Sequence, residues 1–150
     1  MGRASVPAVY APDVELELGK AYVIDEGTDV SIIACGLEVT EARKAAEKLA
    51  EEGISAEVID AFSVKPLDAE TILASLAKTG CAVVAEEHSV YGGLCSAVSE
   101  LCAESQPTPL EFVAVRDRFG KSGEFEELMA YFGLDAASIV QAAKKVLMRK

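Results

Sequence analysis

The chain has 150 residues, of which 51% are apolar and 26% charged, enough for one globular domain with a closed core. Its 25 acidic and 14 basic side chains leave a formal charge of −11, which argues against a nucleic-acid backbone or an anionic membrane surface as partner, because both call for clustered lysine and arginine. No apolar run approaches the roughly 18 residues of a membrane span, and the N-terminus lacks the charged-then-apolar pattern of a signal peptide, so a cytoplasmic protein is expected.

Residues 1–20, "MGRASVPAVYAPDVELELGK", sustain no period and are interrupted by Pro7 and Pro12. They read as an extended connector, with residues 21–150 as the domain. A lead of this length is expected where a domain is the tail half of something larger. Two short β-rich runs follow, "AYVIDEG" and "DVSIIACG", each closed by glycine. The Gly-Thr link between them is too short for a parallel crossover. The first strand is therefore expected to be antiparallel, in a hairpin or at a sheet edge, and antiparallel to "SIIAC" if the two pair directly.

In "LEVTEARKAAEKLAEEG", Val39, Ala42, Ala46, Leu49 and Ala50 share one helix face, and Gly53 suits a left-handed C-terminal cap. "SAEVIDAFS" is a strand. "PLDAETILASLAKTG" is a second helix with Asp68 as N-cap and Ile72, Leu73 and Leu76 facing inward. "CAVVAEE" is a continuous apolar run, the mark of a strand buried on both faces. "GGLCSAVSELCAES" is a third helix with Leu94, Val98, Leu101 and Cys102 on its inner stripe. "LEFVAVRD" is the last strand, and two helical stretches, about 123–132 and 135–149, finish the chain. Strand and helix alternate, which predicts a three-layer α/β/α domain. Its five-stranded sheet is mostly parallel with the first strand antiparallel.

Ligands of open α/β sheets gather beyond the carboxyl ends of the strands. "EEHSVYGG", with the single histidine of the chain, lies at such an end. Gly92 and Gly93 allow the N–H groups of a helix N-terminus to approach an anion, with His88 or Ser89 beside it. The same glycines also suit a plain tight turn, and no G-x-G-x-x-G or P-loop pattern accompanies them. Glu86 and Glu87 are strand neighbours and point to opposite faces, so they are no acid–base pair. Arg116 and Arg118, in "RDRFGKSG", lie beyond another strand end. They are expected to form a structural ion pair with Glu86 or Glu87, an anion contact being the alternative. Cys95 is a weak candidate nucleophile, since nothing supplies an orienting third residue. Cys35, Cys81, Cys95 and Cys102 form no C-x-x-C pair, so a zinc site is not expected, and all four read as reduced, buried thiols.

Several ordered segments resemble one family. "VPAVYAPDVELELGKAYVIDEGTDVSIIACGLEV" resembles the join between the second and third domains of transketolases. "VIDAFSVKPLD" follows at the expected distance, "VVAEEHSVYGGLCSAVSE" is similar to the family's third-domain signature, and "VRDRFGKSGEFEELMAYFGLD" to its closing segment. The resemblance covers essentially the whole chain and is closest to the form whose polypeptide is split in two. It implies the C-terminal domain of a thiamine-diphosphate- and magnesium-dependent transferase that moves two-carbon ketol units between sugar phosphates, as in the pentose phosphate pathway.

The G-D-G motif that holds the diphosphate in this family does not occur here, and the activating glutamate lies upstream of this segment. The resemblance therefore carries no catalytic, cofactor or metal residue onto this chain. It implies packing, subunit assembly and regulation as the domain's roles, with the other transketolase domains or subunit as partners and no activity alone. A related parent (deoxyxylulose-phosphate synthase or a 2-oxo-acid dehydrogenase β subunit) and a free-standing anion-binding regulatory module are the alternatives. Val6, Val9, Tyr10, Val14, Leu16 and Leu18 make the lead apolar enough to predict self-association.

Overall fold

The computed structural model describes residues 7–150; Val6, one of the apolar residues of the lead, lies outside the described residues. Ten elements follow in chain order: β1 (Tyr22–Asp25), β2 (Val30–Ala34), α1 (Leu37–Glu51), β3 (Ala56–Asp60), α2 (Ala69–Thr79), β4 (Ala82–Ser89), α3 (Leu94–Ser105), β5 (Leu110–Val115), α4 (Phe125–Phe132) and α5 (Ala136–Leu147). The strands form one sheet in the order β1-β3-β2-β4-β5, with β1 antiparallel to β3 and the other pairs parallel.

The expected antiparallel first strand is present at an edge, but its neighbour is β3 and not the "SIIAC" strand. The turn after β1 gives the reason. The N–H groups of Thr28 and Asp29 both bond the Ser55 carbonyl at 3.1 and 2.8 Å, and the Asp29 carboxylate accepts from the Ser55 N–H at 2.7 Å. A Cβ on Gly27 would overlap the backbone of Ala56 and Glu57, so only glycine lets the turn pass so close. The Gly-Thr link thus crosses beneath the start of β3, and β1 and β2 run along its two sides.

Alternation of side chains across the strands divides the core into two. Val30, Ile32, Ala34, Val58, Val83 and Ala85 face α1 and α5, with Met129 of α4 added at one end. Ile33, Ile59, Ala82 and Val84 face α2 and α3. On α1 the buried residues include Val39, Ala42, Ala45 and Leu49, while Ala46 is half-buried and Ala50 exposed, so the inward face is turned slightly from the expected one. On α2, Ile72 and Leu76 are buried and Leu73 is partly exposed.

Helix ends follow local chemistry. Asp68 accepts the Thr71 N–H at 3.2 Å as N-cap of α2 and takes the Ala21 N–H at 3.0 Å, which ties the start of β1 to that helix. Asp135 caps α5 by accepting from the Ser138 N–H at 3.0 Å. The lead is anchored through Tyr10, whose hydroxyl donates to Asp60 at 2.8 Å and whose ring packs edge-on against Tyr22. Val14, Leu16 and Leu18 stay exposed along it.

Candidate functional site

The strand order reverses between β2 and β4: β2 leads through α1 toward β3, and β4 leads through α3 toward β5. The crevice beyond the carboxyl ends of these two strands is where open α/β sheets place ligands. The N-termini of α1 and α3 flank it, and three buried carboxylates stand around it: Glu38 in the first turn of α1, Asp60 at the end of β3 and Glu86 near the end of β4.

Glu86 is bound on both oxygens. Oε2 accepts the Leu94 N–H and Oε1 the Cys95 N–H, each at 2.8 Å. These are the N–H groups that the sequence pattern offered to an external anion, and here the chain provides the anion itself, at the positive end of the α3 dipole. Gly93 is part of the arrangement, because a Cβ there would overlap the Glu86 carboxylate. Gly92 has φ 78° and forms the turn, its N–H bonding Ser96 Oγ at 2.8 Å.

His88 is more than half exposed. Its Nδ1 bonds the Ser89 carbonyl at 2.8 Å and lies 3.9 Å from Glu86 Oε2, beyond hydrogen-bond reach. Ser89 Oγ accepts the Tyr91 N–H at 3.3 Å. Glu87 is exposed and, with His88, Ser89 and Arg118, borders a cavity of about 380 Å³ whose apolar wall includes Phe125, Met129 and Phe132.

The expected ion pairs do not form. Arg116 donates to the Phe112 carbonyl at 3.1 Å, and the Arg118 guanidinium lies 5.8 Å from the centre of the Tyr131 ring, with Lys121 at 4.1 Å from the same ring. Neither arginine makes an ion pair with Glu86 or Glu87, and the Arg116 charge acts on Cys95, where it partly opposes the rise of the thiol.

The thiol reading of Cys95 as nucleophile fails on burial. Its Sγ is directed at the Val84 carbonyl, and burial, then the Glu86 carboxylate, push the thiol far above its ordinary range. Cys81 and Cys102 are also buried and Cys35 partly so, all unbridged, and burial raises each thiol, Cys35 to about 12.

Glu38 and Asp60 escaped the sequence reading. A glutamate in a first helical turn usually signals a solvated charge that favours the dipole. Here Glu38 is fully buried, and neither carboxylate oxygen has a hydrogen-bond partner among the described residues. Burial, followed by the charges of Glu41, Glu87 and Asp135, raises its pKa to about 8. Asp60 has one oxygen on Tyr10 and the other unpartnered, and burial raises its pKa as well. Glu41 is committed elsewhere: it accepts the Ala136 N–H at 2.9 Å and so ties α1 to the start of α5.

This donor set does not fit a magnesium diphosphate. Glu86 is already bound on both oxygens by α3, and Glu38, whose pKa burial raises to about 8, is held toward its neutral form, the wrong state for a hard cation. Among the described residues no group of three His, Cys, Asp or Glu side chains is placed to hold a metal ion.

Residues 19–139 match the family described as "Transketolase, C-terminal domain". The chain belongs to that family. The chain is 51% identical over 136 residues to the 6-deoxy-6-sulfo-D-fructose transketolase subunit SqwH of Clostridium sp. (strain MSTE9), covering 91% of this chain and 42% of that protein. It is 41% identical over 144 residues to an apulose-4-phosphate transketolase subunit of Phocaeicola vulgatus, covering 95% and 46%. It is 44% identical over 138 residues to 1-deoxy-D-xylulose-5-phosphate synthase 1 of Geobacter sulfurreducens, covering 91% and 22%. A solved structure described as "Split gene transketolase, inactive beta4 tetramer" superposes with a TM-score of 0.95 at 45% identity, covering 98% of this chain and 48% of that one. The chain therefore spans less than half the length of these relatives. It is a transketolase C-terminal domain of the kind found in split transketolase subunits. Among the described residues, no helix is long and apolar enough to cross a membrane.

Proposed function

We propose that this domain serves assembly in a transketolase that moves two-carbon ketol units between sugar phosphates, with thiamine diphosphate and magnesium held by the other domains. Residues 1–20 are the connector and 21–150 the domain, acting in the cytoplasm in pentose-phosphate-type chemistry. The observation that carries the reading is the state of the strand ends. Where open α/β sheets present ligand groups, this one has a carboxylate held by the N-terminus of α3, a deeply buried thiol and a glutamate, Glu38, that burial holds toward its neutral form. Glu86 and Cys95 are committed to the fold.

Split-subunit relatives support a partner subunit that supplies the cofactor, and the tetrameric neighbour supports self-association of the β-type chain. The likeness to a 1-deoxy-D-xylulose-5-phosphate synthase supports a second reading, in which the parent enzyme is such a synthase.

The test joins the chain to the missing domains with thiamine diphosphate and magnesium and assays both reactions. Ketol transfer between sugar phosphates by the assembly, with none from the chain alone, is the expected result. Formation of 1-deoxy-D-xylulose 5-phosphate in its place moves the reading to the synthase. Micromolar thiamine diphosphate binding by the isolated chain in calorimetry would overturn the assembly role.

A further inference from the structure

The sheet has two edges of different character. β1 has four residues and a register shift between Val23 and Asp25, the short and irregular kind of edge that resists pairing. β5 has six residues, "LEFVAV", and keeps regular register with β4 from Leu110 to Val113. It is mostly apolar, β-branched or aromatic, with one charge, a composition prone to strand addition.

The backbone of β5 shows which groups face outward. The Ala82 N–H bonds the Pro109 carbonyl at 3.1 Å and the Val90 N–H bonds the Val115 carbonyl at 3.0 Å, both toward β4. Alternation along the strand then turns the N–H and C=O groups of Leu110, Phe112 and Ala114 to the open side. Two of those carbonyls are covered. Arg149, beyond the end of α5, donates from Nη1 to the Leu110 carbonyl at 2.8 Å. Arg116, just past β5, donates from Nη2 to the Phe112 carbonyl at 3.1 Å. The two guanidinium groups come from different parts of the chain and meet the same edge on alternate residues.

We propose that Arg116 and Arg149 are edge guards: they occupy the outward carbonyls of β5 and prevent a second copy of this chain from adding its own β5 to the sheet. A strand added here needs those carbonyls as acceptors and must first displace a guanidinium from each. The occupant excluded is a two-fold-related copy, because β5 against β5 in antiparallel sense is self-complementary and continues the sheet.

Arg149 has a second contact, with Glu111 Oε1 at 2.6 Å, while Lys145 holds Glu111 Oε2 at 2.8 Å. Replacing Arg149 therefore leaves Glu111 paired. Lys145→Ala is the matching control, since it disturbs Glu111 and leaves the Leu110 carbonyl covered.

The experiment compares the full chain with Arg116→Ala/Arg149→Ala by sedimentation velocity across concentration and by amide hydrogen exchange. Loss of two cations makes an acidic chain more acidic, and charge repulsion alone would weaken association. The proposal requires the opposite: a shift of at least about tenfold to lower concentration in the association midpoint, with new protection at the Leu110, Phe112 and Ala114 amides. Circular dichroism establishes that the double variant is folded. If it is not, each single variant is read by the same exchange experiment, and each must show protection at concentrations where the parent shows none. Unchanged or weaker association, association without protection of those amides, or the same association from Lys145→Ala would each overturn the proposal.

Discussion

Glu86 and Glu38 each stand at a helix N-terminus beside the same crevice, and both are withdrawn from water. Their surroundings differ completely. Glu86 reaches α3 from outside, from β4, so its carboxylate lies ahead of the free N–H groups and takes two of them. Glu38 belongs to the helix whose N-terminus it occupies. Its carboxyl is buried without a partner among the described residues, near three other acidic side chains. Asp60 is intermediate, with one oxygen bonded to Tyr10. A buried carboxylate is thus a structural anchor when the chain delivers it to an open helix end. It becomes a proton-holding acid when burial comes without donors.

The largest expected effect breaks the Glu86 side of this comparison. Glu86→Ala leaves the buried Leu94 and Cys95 N–H groups without their acceptor and should lower unfolding free energy by about 4 kcal/mol, on the scale of two hydrogen bonds to a charged group. Urea denaturation with an unchanged m-value measures it; a loss within error of zero would show that water replaces the carboxylate freely.

The second effect tests Glu38 through pH. The unfolded chain releases this proton near pH 4.5, while the folded chain holds it to about 8. The folded state binds more protons between these values, so Glu38 lowers stability progressively as pH rises through that window and by a constant amount above it. Asp60, also raised, acts in the same direction, whereas Asp68 and Glu111, whose pKa values are lowered, gain stability as pH rises through the acid range. The difference between parent and Glu38→Gln isolates the Glu38 share. Parallel stability curves for the two proteins would contradict a buried neutral acid.

Gly93→Ala sharpens the contact between turn and carboxylate. A Cβ on Gly93 would overlap the Glu86 carboxylate, and displacing it should cost about 2 kcal/mol. In a Glu86→Ala background the same change should cost under about 0.5 kcal/mol, and a double-mutant cycle that comes out additive would separate the two residues. The smallest effect concerns Asp60: Tyr10→Phe removes its one donor and should cost about 1 kcal/mol. It should also free the lead, read as faster amide exchange around residues 9–12.

Much of this was legible before folding was considered. Period-2 and helical patterns placed all ten elements, because each pattern is a local consequence of backbone geometry and burial. Asp68 and Gly80 mark the ends of α2 through contacts within one turn, so their roles follow from nearest neighbours. The resemblance in "EEHSVYGG" pointed to structure at the right loop. It did not say which glutamate matters, although the alternation it implied, with Glu86 and Glu87 on opposite faces, leaves one buried and one exposed. The ion pairs expected for Arg116 and Arg118 were not legible, since they depend on where the chain turns after β5.

The sequence by itself determined the alternation of strand and helix, the two-sided burial of "CAVVAEE", the caps and the antiparallel sense of β1, because each depends on residues a few positions apart. Only the tertiary structure decided that β1 lies against β3, that Glu86 reaches the α3 N-terminus and that Glu38 is left without a partner. Those outcomes join segments through strand order: Gly27 must pass under Ala56 for β1 to leave β2. The Glu38 carboxyl is enclosed only once α1, β4 and the start of α5 have packed around it, bringing Glu41, Glu87 and Asp135 close enough to oppose its charge.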